Sequence, residues 1–180
     1  MSDTQRLSPL NAVHQAAGAS FTDFAGWMMP VRYSSDLAEH HAVRDSAGIF
    51  DLSHMAEIYV TGPEAGALLD FALAGTLSNI PLGRAKYSLL LAEDGGILDD
   101  LVVYRLGEQE FMVVANAGNR FVAANAIIER AQGFDAVVDD RSDTVALIAI
   151  QGPNSAAIVA GIDGFTTSDL GALGYYRCQS

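Results

Sequence analysis

The sequence has one cysteine, Cys178, and one lysine, Lys86, among 180 residues. A lone cysteine cannot close an internal disulfide, and it excludes a CxxC redox motif or a zinc site built from cysteine pairs. Basic residues are scarce overall, since ten Lys and Arg stand against twenty-two Asp and Glu and give a net charge of −12. Such an excess of acids repels a phosphate backbone, so we expect no nucleic-acid partner.

Long apolar runs are also missing. No segment approaches the roughly 20 consecutive apolar residues of a membrane-spanning helix, so we expect no membrane association and a cytoplasmic location. Half of the residues are nevertheless hydrophobic and only 18% are charged, which argues against intrinsic disorder. Folding of a 19.0 kDa chain can remove roughly 70% of its unfolded surface from water. The composition is therefore that of one globular domain or two small ones.

The four histidines do not form a metal-binding pattern. His40 and His41 are adjacent on a predicted helix, so their side chains diverge by about 100° instead of meeting as an i, i+4 pair would. His14 and His54 are isolated in the sequence. We therefore expect no metal site. The sequence also lacks the G-x-S-x-G, P-loop and G-x-G-x-x-G motifs of common hydrolases and nucleotide-binding proteins.

Alternating apolar residues and glycine turns predict an antiparallel sheet in the middle of the chain. Strands are predicted at 85–92, 97–106 and 111–115, with turns at Gly95-Gly96 and 107–110 between them. Helices are predicted on both sides of these strands, at 36–47, 63–73 and 119–131. Hairpins interleaved with helices indicate an α+β protein with antiparallel sheets and flanking helices.

Three details of these predictions are specific enough to test. Asp36 followed by Glu39 has the spacing of a capping box, which predicts Asp36 as a helix N-cap. The last residues, 174–180, are typical of the start of a strand. The buried face predicted for the helix at 119–131 carries Phe121, Ala124, Ile128 and Ala131.

The segment 95–104, with the sequence GGILDDLVVY, is the most suggestive of a functional site. Neighbouring side chains of a strand point to opposite faces, so Asp99 and Asp100 cannot share a site on a regular strand. If the strands at 97–106 and 111–115 pair, one face carries Asp100, Val102, Tyr104, Met112, Val114 and Asn116. One acid, one amide and apolar walls suit a flat, partly polar heterocycle.

The two acids also have a simpler interpretation, in which both are solvated residues beside a glycine turn. Short motifs of this kind are weak evidence for a site. Asp99, which lies nearer the turn, fits this interpretation better than Asp100 does. The residues by themselves therefore indicate an α+β protein with a candidate site around Asp100.

Several short motifs occur in a fixed order along the chain. They are Phe24–Pro30 (FAGWMMP), Ala42–Arg44 (AVR), Gly48–Met55 (GIFDLSHM), Lys86–Ser88 (KYS), Gly95–Tyr104, Val113–Asn116, Ala146–Ala149 and Gln151–Pro153. In this order and spacing they resemble the N-terminal half of the T-proteins of the glycine cleavage system, the aminomethyltransferase family. The resemblance runs from about Phe21 to Tyr176, and the collinear set is far more specific than any single motif.

The resemblance implies a folate enzyme. Family members transfer the methylene group of an aminomethyl-dihydrolipoyl arm, carried by the lipoylated H-protein, to tetrahydrofolate with release of ammonia. The essential aspartate of the family falls on Asp100, where it would orient and help deprotonate the folate nitrogen that attacks the methylene carbon. The tetrahydrofolate contacts that the resemblance implies are Met55, Tyr87, Val102, Tyr104, Val114, Asn116 and Tyr175.

The resemblance also implies the folate-binding aminomethyltransferase-like fold with a ferredoxin-like insert. We expect residues 1–55 and 142–180 to form a first, incomplete folate-binding subdomain, and residues 56–141 to form the inserted ferredoxin-like subdomain. Family members continue for about as many residues again, and that second half holds further site residues and a C-terminal barrel. We therefore expect this chain to be a fragment that is inactive by itself.

Other members of the superfamily remain open as alternatives. One is a folate-binding protein that assists iron–sulfur cluster maturation, which would carry a K-G-C-Y-type motif further along the chain. Another is the folate domain of a sarcosine- or dimethylglycine-oxidising flavoenzyme, which would be fused to a flavin-binding region. A third is a fragment that binds nothing. For an anionic folate, the candidate positive patch consists of Arg32, Arg84 and Lys86, although the favoured interpretation of each one is a solvated surface charge.

Overall fold

The computed structural model describes residues 5–164 and 167–179, and the side chains of all of these except 167–169. It divides into two compact units, one formed by Met1–His54 with Ala146–Ala172 and the other by Met55–Val145 with Leu173–Ser180. Within the described ranges, none of the helices combines the length and the apolar character needed to cross a membrane.

Ten strands and six helices make up the described structure. The strands are β1 (Arg6–Leu7), β2 (Ser20–Phe24), β3 (Trp27–Arg32), β4 (Gly48–Asp51), β5 (Ala56–Thr61), β6 (Arg84–Leu91), β7 (Ile97–Gly107), β8 (Glu110–Ala115), β9 (Val137–Asp140) and β10 (Ile148–Gln151). The helices are α1 (Asn11–Ala16), α2 (Asp36–Asp45), α3 (Ala65–Ala72), α4 (Arg120–Arg130), α5 (Ser155–Val159) and α6 (Thr167–Ala172).

The first unit contains two small sheets. β3 is the central strand of one sheet, parallel to β1 and antiparallel to β2. The other sheet is the antiparallel pair of β4 and β10. α1, α2, α5 and α6 belong to the same unit. Residues from both ends of its sequence therefore meet in one unit, with β10 returning to β4 across about a hundred intervening residues.

The second unit is built on a five-stranded sheet in the order β6-β7-β8-β5-β9. Every neighbouring pair is antiparallel, which confirms the antiparallel sheet expected from the sequence. β5-α3-β7-β8-α4-β9 is the βαββαβ succession of a ferredoxin-like fold, and β6 adds an edge strand beside β7. The core of the unit is formed by a buried apolar cluster that includes Ile58, Val60, Leu68, Leu69, Leu101, Val103, Phe111, Val113 and Ile127.

The helix expected at 119–131 exists, but its predicted buried face is wrong in part. A short 3-10 turn at Ala117–Asn119 precedes α4, and the buried apolar residues of α4 are Ala123, Ala124 and Ile127. Phe121 and Ile128 are each 46% exposed. Apolar residues occur on more than one side of this helix, so periodicity alone could not select the side that packs against the sheet.

The N-cap of α2 is Ser35, not Asp36. Ser35 has an extended conformation and its side chain accepts a hydrogen bond from the backbone N–H of Ala38. Glu39 reaches back beyond the cap, where its Oε1 accepts the backbone N–H groups of Tyr33 at 2.8 Å and Ser34 at 2.6 Å. The hydrogen bond from Ser34 is the main reason why the pKa of Glu39 is lowered.

The residues expected to start a strand near the end of the sequence pair with the outer edge of β6. Arg177 forms an isolated antiparallel bridge with Arg84. The backbone N–H of Ala85 donates to the carbonyl oxygen of Tyr176 at 2.9 Å, and that of Cys178 donates to Gly83 at 2.9 Å. The segment therefore covers part of the sheet edge; Ser180, which belonged to the same prediction, lies outside the described residues.

Candidate functional site

β7 separates its side chains between a buried face and an open face. Asp99, Leu101 and Val103 are at most 3% exposed and point toward the core. The alternate residues Asp100, Val102 and Tyr104 lie on the opposite face, where Asp100 is exposed and the other two are partly exposed. The separation of the two acids that strand geometry required is therefore present in the structure.

Four residues on four adjacent strands form a row across the face of the sheet that carries Asp100. Glu57 of β5 is opposite Val114 of β8, Val114 is opposite Val102 of β7, and Val102 is opposite Tyr87 of β6. The two valines make a narrow apolar strip with a carboxyl group at one end and a phenol at the other. Directly opposite residues of paired strands share a face; within this strip Val102 is partly exposed, whereas Val114 is buried at 8% exposed.

The Asp100 carboxylate is held by two neighbouring side chains. The Tyr87 hydroxyl donates to Asp100 Oδ2. Asn116 Nδ2 donates to Asp100 Oδ1 at 2.9 Å and to the backbone oxygen of Asp100 at 2.8 Å. Both carboxylate oxygens therefore have a fixed donor while the residue stays open to solvent. The hydrogen bond to Asp100 is the main reason why the pKa of the Tyr87 phenol is raised.

The interpretation of Asp99 as a solvated residue is wrong. Its side chain is buried, and Oδ2 accepts the backbone N–H of Asn116 at 3.0 Å. Oδ1 accepts Asn116 Nδ2 at 3.0 Å and Asn119 Nδ2 at 2.8 Å. A buried carboxylate needs such donors to replace water. Strand alternation gives Asp99 the same parity as Leu101 and Val103, but alternation alone does not show that this face is buried.

The remaining residues expected at the site are not all brought together. Tyr104 lies on the Asp100 face, and burial raises the pKa of its phenol. Met55 immediately precedes β5 and is partly buried. Tyr175 is 86% exposed, and its ring lies 4.6 Å from the ring of Tyr176. The structure thus places Tyr87, Asp100 and Asn116 in direct contact and leaves Met55 and Tyr175 outside that cluster.

A groove of about 660 Å³ runs beside Tyr87 at the outer edge of β6. Its walls include Arg84, Lys86, Tyr175 and Tyr176, and none of the described residues that line it is acidic. Arg84 Nη1 donates to the carbonyl oxygen of Tyr175 at 3.2 Å, which ties the segment to this edge. Two of the three cations proposed as a positive patch therefore border one groove.

Arg32, the third cation of that proposed patch, belongs to the first unit and is not part of the groove. It forms an exposed ion pair with Asp36, with 3.9 Å between Nη1 and Oδ2. A solvent-exposed pair at this distance contributes little to stability. The interpretation of Arg32 as a solvated surface charge therefore suits its surroundings.

Glu57 is a buried acid that the sequence did not single out. It is 1% exposed, and within the described residues neither of its carboxylate oxygens has a hydrogen-bond partner. Burial raises the pKa of Glu57 to about 7; the charge of Arg120 opposes this shift and that of Asp140 adds to it. Alternation with the core residue Ile58 places Glu57 on the opposite face of β5, but alternation cannot show whether that face is covered.

Comparisons with known proteins agree with this architecture. A family model described as the GCVT N-terminal domain matches residues 10–180. The aminomethyltransferase of Cutibacterium acnes is 55% identical over 97% of this chain and 48% of its own length. The aminomethyltransferase of Streptomyces coelicolor is 56% identical over 98% of this chain and 47% of its own length. The chain thus spans about half the length of the curated relatives it matches.

Solved structures give the same result. The crystal structure of glycine cleavage system aminomethyltransferase T from Bartonella henselae superposes with a TM-score of 0.86 at 40% identity, covering 98% of this chain and 48% of that one. A heterotetrameric sarcosine oxidase from Corynebacterium sp. U-96 has a TM-score of 0.51 at 15% identity over 84% of this chain and 63% of that one, which is a likeness of fold alone. The aminomethyltransferase-like fold expected from the motifs is therefore confirmed, and the chain belongs to the family of the GCVT N-terminal domain, matching the N-terminal half of the T-protein.

Proposed function

We propose that this chain supplies the folate-binding face and the essential carboxylate of an aminomethyltransferase. The reaction transfers the methylene group of an aminomethyl-dihydrolipoyl arm, presented by the lipoylated H-protein, to tetrahydrofolate and releases ammonia. The observation that carries the proposal is the cluster of Tyr87, Asp100 and Asn116 on the open face of the sheet. The names of the relatives, each aminomethyltransferase, support the same reaction.

The chemistry of this face fits a reduced pterin. The partly exposed side chain of Val102, with the buried Val114 opposite it, offers apolar area to a flat ring, and the polar groups beside it offer directional hydrogen bonds. A folate nitrogen that attacks the methylene carbon must lose its proton as the new C–N bond forms. Asp100, fixed by Tyr87 and Asn116, is a carboxylate that can accept that proton.

The groove beside Tyr87 suits the charged end of the same ligand. Tetrahydrofolate carries an anionic glutamate tail, and the chain as a whole has a charge of −12. Arg84 and Lys86 border the groove without an acidic neighbour in its described lining. We assign the tail to this groove, because local positive charge is needed where an acidic protein binds an anion.

The proposal also covers the partner protein, the cellular location and the subdomains of the chain. The lipoylated H-protein is the partner that delivers the one-carbon unit, and we assign the protein to the cytoplasm, as expected from the sequence. Residues 1–55 with 142–180 are assigned to the first folate-binding subdomain, and residues 56–141 to the ferredoxin-like insert. The remaining site residues would come from the half of the relatives that this chain does not match.

A chimera tests the proposal. Residues 1–180 replace the matching part of the Streptomyces coelicolor aminomethyltransferase, and methylene transfer is measured with aminomethyl-loaded H-protein and tetrahydrofolate. We expect the chimera to be active and Asp100→Asn to lower turnover by about 10² to 10⁴-fold while most of the tetrahydrofolate affinity is kept. Glu93→Gln, an exposed charge change in the same hairpin, serves as the control and should leave turnover unchanged. Full turnover in the Asp100→Asn chimera would contradict the role of Asp100.

The 180-residue chain is titrated separately with tetrahydrofolate by calorimetry. We expect weak or absent binding, because one wall of a pocket buries too little of a ligand that binding sites normally enclose on most sides. Tight binding by the isolated chain would instead mean that this face recognises folate without the second half.

A further inference from the structure

The side chain of Asn116 has a defined orientation at the site. Three acceptors surround its Nδ2 atom: Asp99 Oδ1 at 3.0 Å, Asp100 Oδ1 at 2.9 Å and the backbone oxygen of Asp100 at 2.8 Å. A rotated amide would bring Oδ1 against these same oxygens, which is repulsive because all of them are acceptors. The hydrogen-bond network therefore determines which end of the amide faces the two aspartates.

Asp99 is the buried acceptor that holds this network in place. Its buried carboxylate accepts the backbone N–H of Asn116 as well as Nδ2, so it holds both the main chain and the side chain of that residue. Asn119, the N-cap of α4, donates to the same carboxylate at 2.8 Å. Asp100, by contrast, is exposed and has Asn116 and Tyr87 as its side-chain donors.

We propose that Asp99 is a positioning residue for the reaction, which acts by fixing the amide of Asn116 so that Nδ2 holds Asp100 and Oδ1 is presented to the ligand. The inference rests on the proposed function and deepens it. Asn116 Oδ1 makes no hydrogen bond to the described residues. The ligand therefore meets an acceptor at this position, which matches an N–H or O–H donor on the bound ring and disfavours an analogue with an acceptor there.

The substitution Asp99→Asn tests this role with little change in shape. Asp99 receives three donors on two oxygens, so an asparagine must turn its own NH₂ group toward at least one of them. Side-chain NMR of the 180-residue chain then measures the exchange of the Asn116 Nδ2 protons with water. We expect exchange about tenfold faster or more in Asp99→Asn, a smaller increase in Asn119→Ala and no change in Glu93→Gln.

A merely structural role of Asp99 predicts a different pattern. If the carboxylate only stabilises the sheet, the buried backbone N–H of Val113 should lose protection together with Asn116. The proposal requires that Val113 stays protected while the Asn116 amide loosens. Equal acceleration at both sites, or an unchanged Asn116 amide in a folded variant, would overturn it. If Asp99→Asn does not fold, exchange of the Asn116 side-chain amide and of the Val113 backbone N–H is compared in Asn119→Ala instead.

The chimera described above supplies the functional measurement. Asp99→Asn should lower kcat by about tenfold to a hundredfold, as expected when a group that orients a reacting residue is lost, and should raise KM for tetrahydrofolate less than kcat falls. Wild-type kcat and KM in the variant would overturn the positioning role. A parent chimera with no transfer activity would instead count against the proposed function, and the NMR result on Asn116 would still stand, so the two failures are distinguishable.

Discussion

Tyr87 and Asp100 are joined by a hydrogen bond across two paired strands although they are not directly opposite each other. Tyr87 pairs with Val102 and Asp100 pairs with Leu89, so the phenol reaches diagonally along β7 to the carboxylate. Diagonal neighbours on one face of a sheet are within reach of a long aromatic side chain. The contact therefore depends on the register of β6 against β7, and it links the edge strand to the residue that we propose as catalytic.

The pKa of the Tyr87 phenol is a measure of this contact. This pKa is raised because Asp100 accepts the hydroxyl hydrogen bond and because the negative charge of Asp100 disfavours the phenolate. Asp100→Asn should therefore lower the pKa of Tyr87 toward its ordinary value of 10.0. An NMR titration of the ring Cζ resonance measures the change, with Glu93→Gln as a control of equal charge change. An unaltered Tyr87 titration in Asp100→Asn would mean that the two groups do not interact in solution.

Glu57 should make stability depend on pH. Its pKa is raised in the folded chain from 4.5 to about 7, so the folded state holds a proton that the unfolded state has already released. The stabilisation is complete below pH 4.5 and is lost as pH rises through 7. We expect the free energy of unfolding of the wild type to fall by about 2 kcal/mol relative to Glu57→Gln over this range.

Urea unfolding at pH 5 and pH 8 measures this difference. Glu129→Gln, at an exposed position of α4, is the matched control and should follow the wild type at both pH values. The hypothesis fails if Glu57→Gln and the wild type lose stability in parallel between the two pH values.

Gly152 is required by the backbone between β10 and α5. It has a φ of +126°, and a Cβ at this position would lie 2.5 Å from the carbonyl oxygen of Ser46 and 2.7 Å from that of Val43. Gly152→Ala should lower the free energy of unfolding by about 3 kcal/mol through backbone strain and steric overlap. Gly171→Ala, in the same unit and with nothing within 4 Å of its added Cβ, should cost nothing. Thermal unfolding of the two variants gives the comparison, and equal midpoints would refute the role of Gly152.

Asp51 links the end of β4 to Ser8 and to α1 within the first unit. Ser8 Oγ donates to its carboxylate, His14 Nε2 lies 2.8 Å from Oδ2, and the Ser53 backbone N–H donates to Oδ1 at 3.0 Å. Burial raises the pKa of Asp51, but these hydrogen bonds outweigh burial and hold the pKa below its ordinary value. Stability from this carboxylate is therefore present at neutral pH and is lost as pH falls below about 4.

Asp51→Asn tests the contribution at neutral pH. The isosteric amide removes the charge that the donors require, so we expect a loss of about 1 to 3 kcal/mol of unfolding free energy. Asp45→Asn, at an exposed position in α2, is the control and should change stability little. A loss in Asp51→Asn no larger than that in the control would show that the cluster does not stabilise the unit.

Much of the second unit could be predicted from local patterns. The alternation in 97–106 and the glycine turn before it defined a strand pair, and the structure has β7 paired antiparallel with β6 and β8. The same alternation placed Asp100 apart from Asp99. What it could not give is the burial of Asp99, because that depends on donors from Asn116 and Asn119, 17 and 20 residues further along the chain.

The sequence by itself determined the strand and helix content, the face on which Asp100 lies and, through its ordered motifs, the family. These follow from the two-residue period of a strand and from local turn chemistry, which act between near neighbours. Only the tertiary structure decided that Asp99 and Glu57 are buried, that Phe121 is not, and that Asn116 joins two adjacent acids. Burial and side-chain hydrogen bonds depend on which distant segments pack together, and the period of a single strand carries no information about those segments.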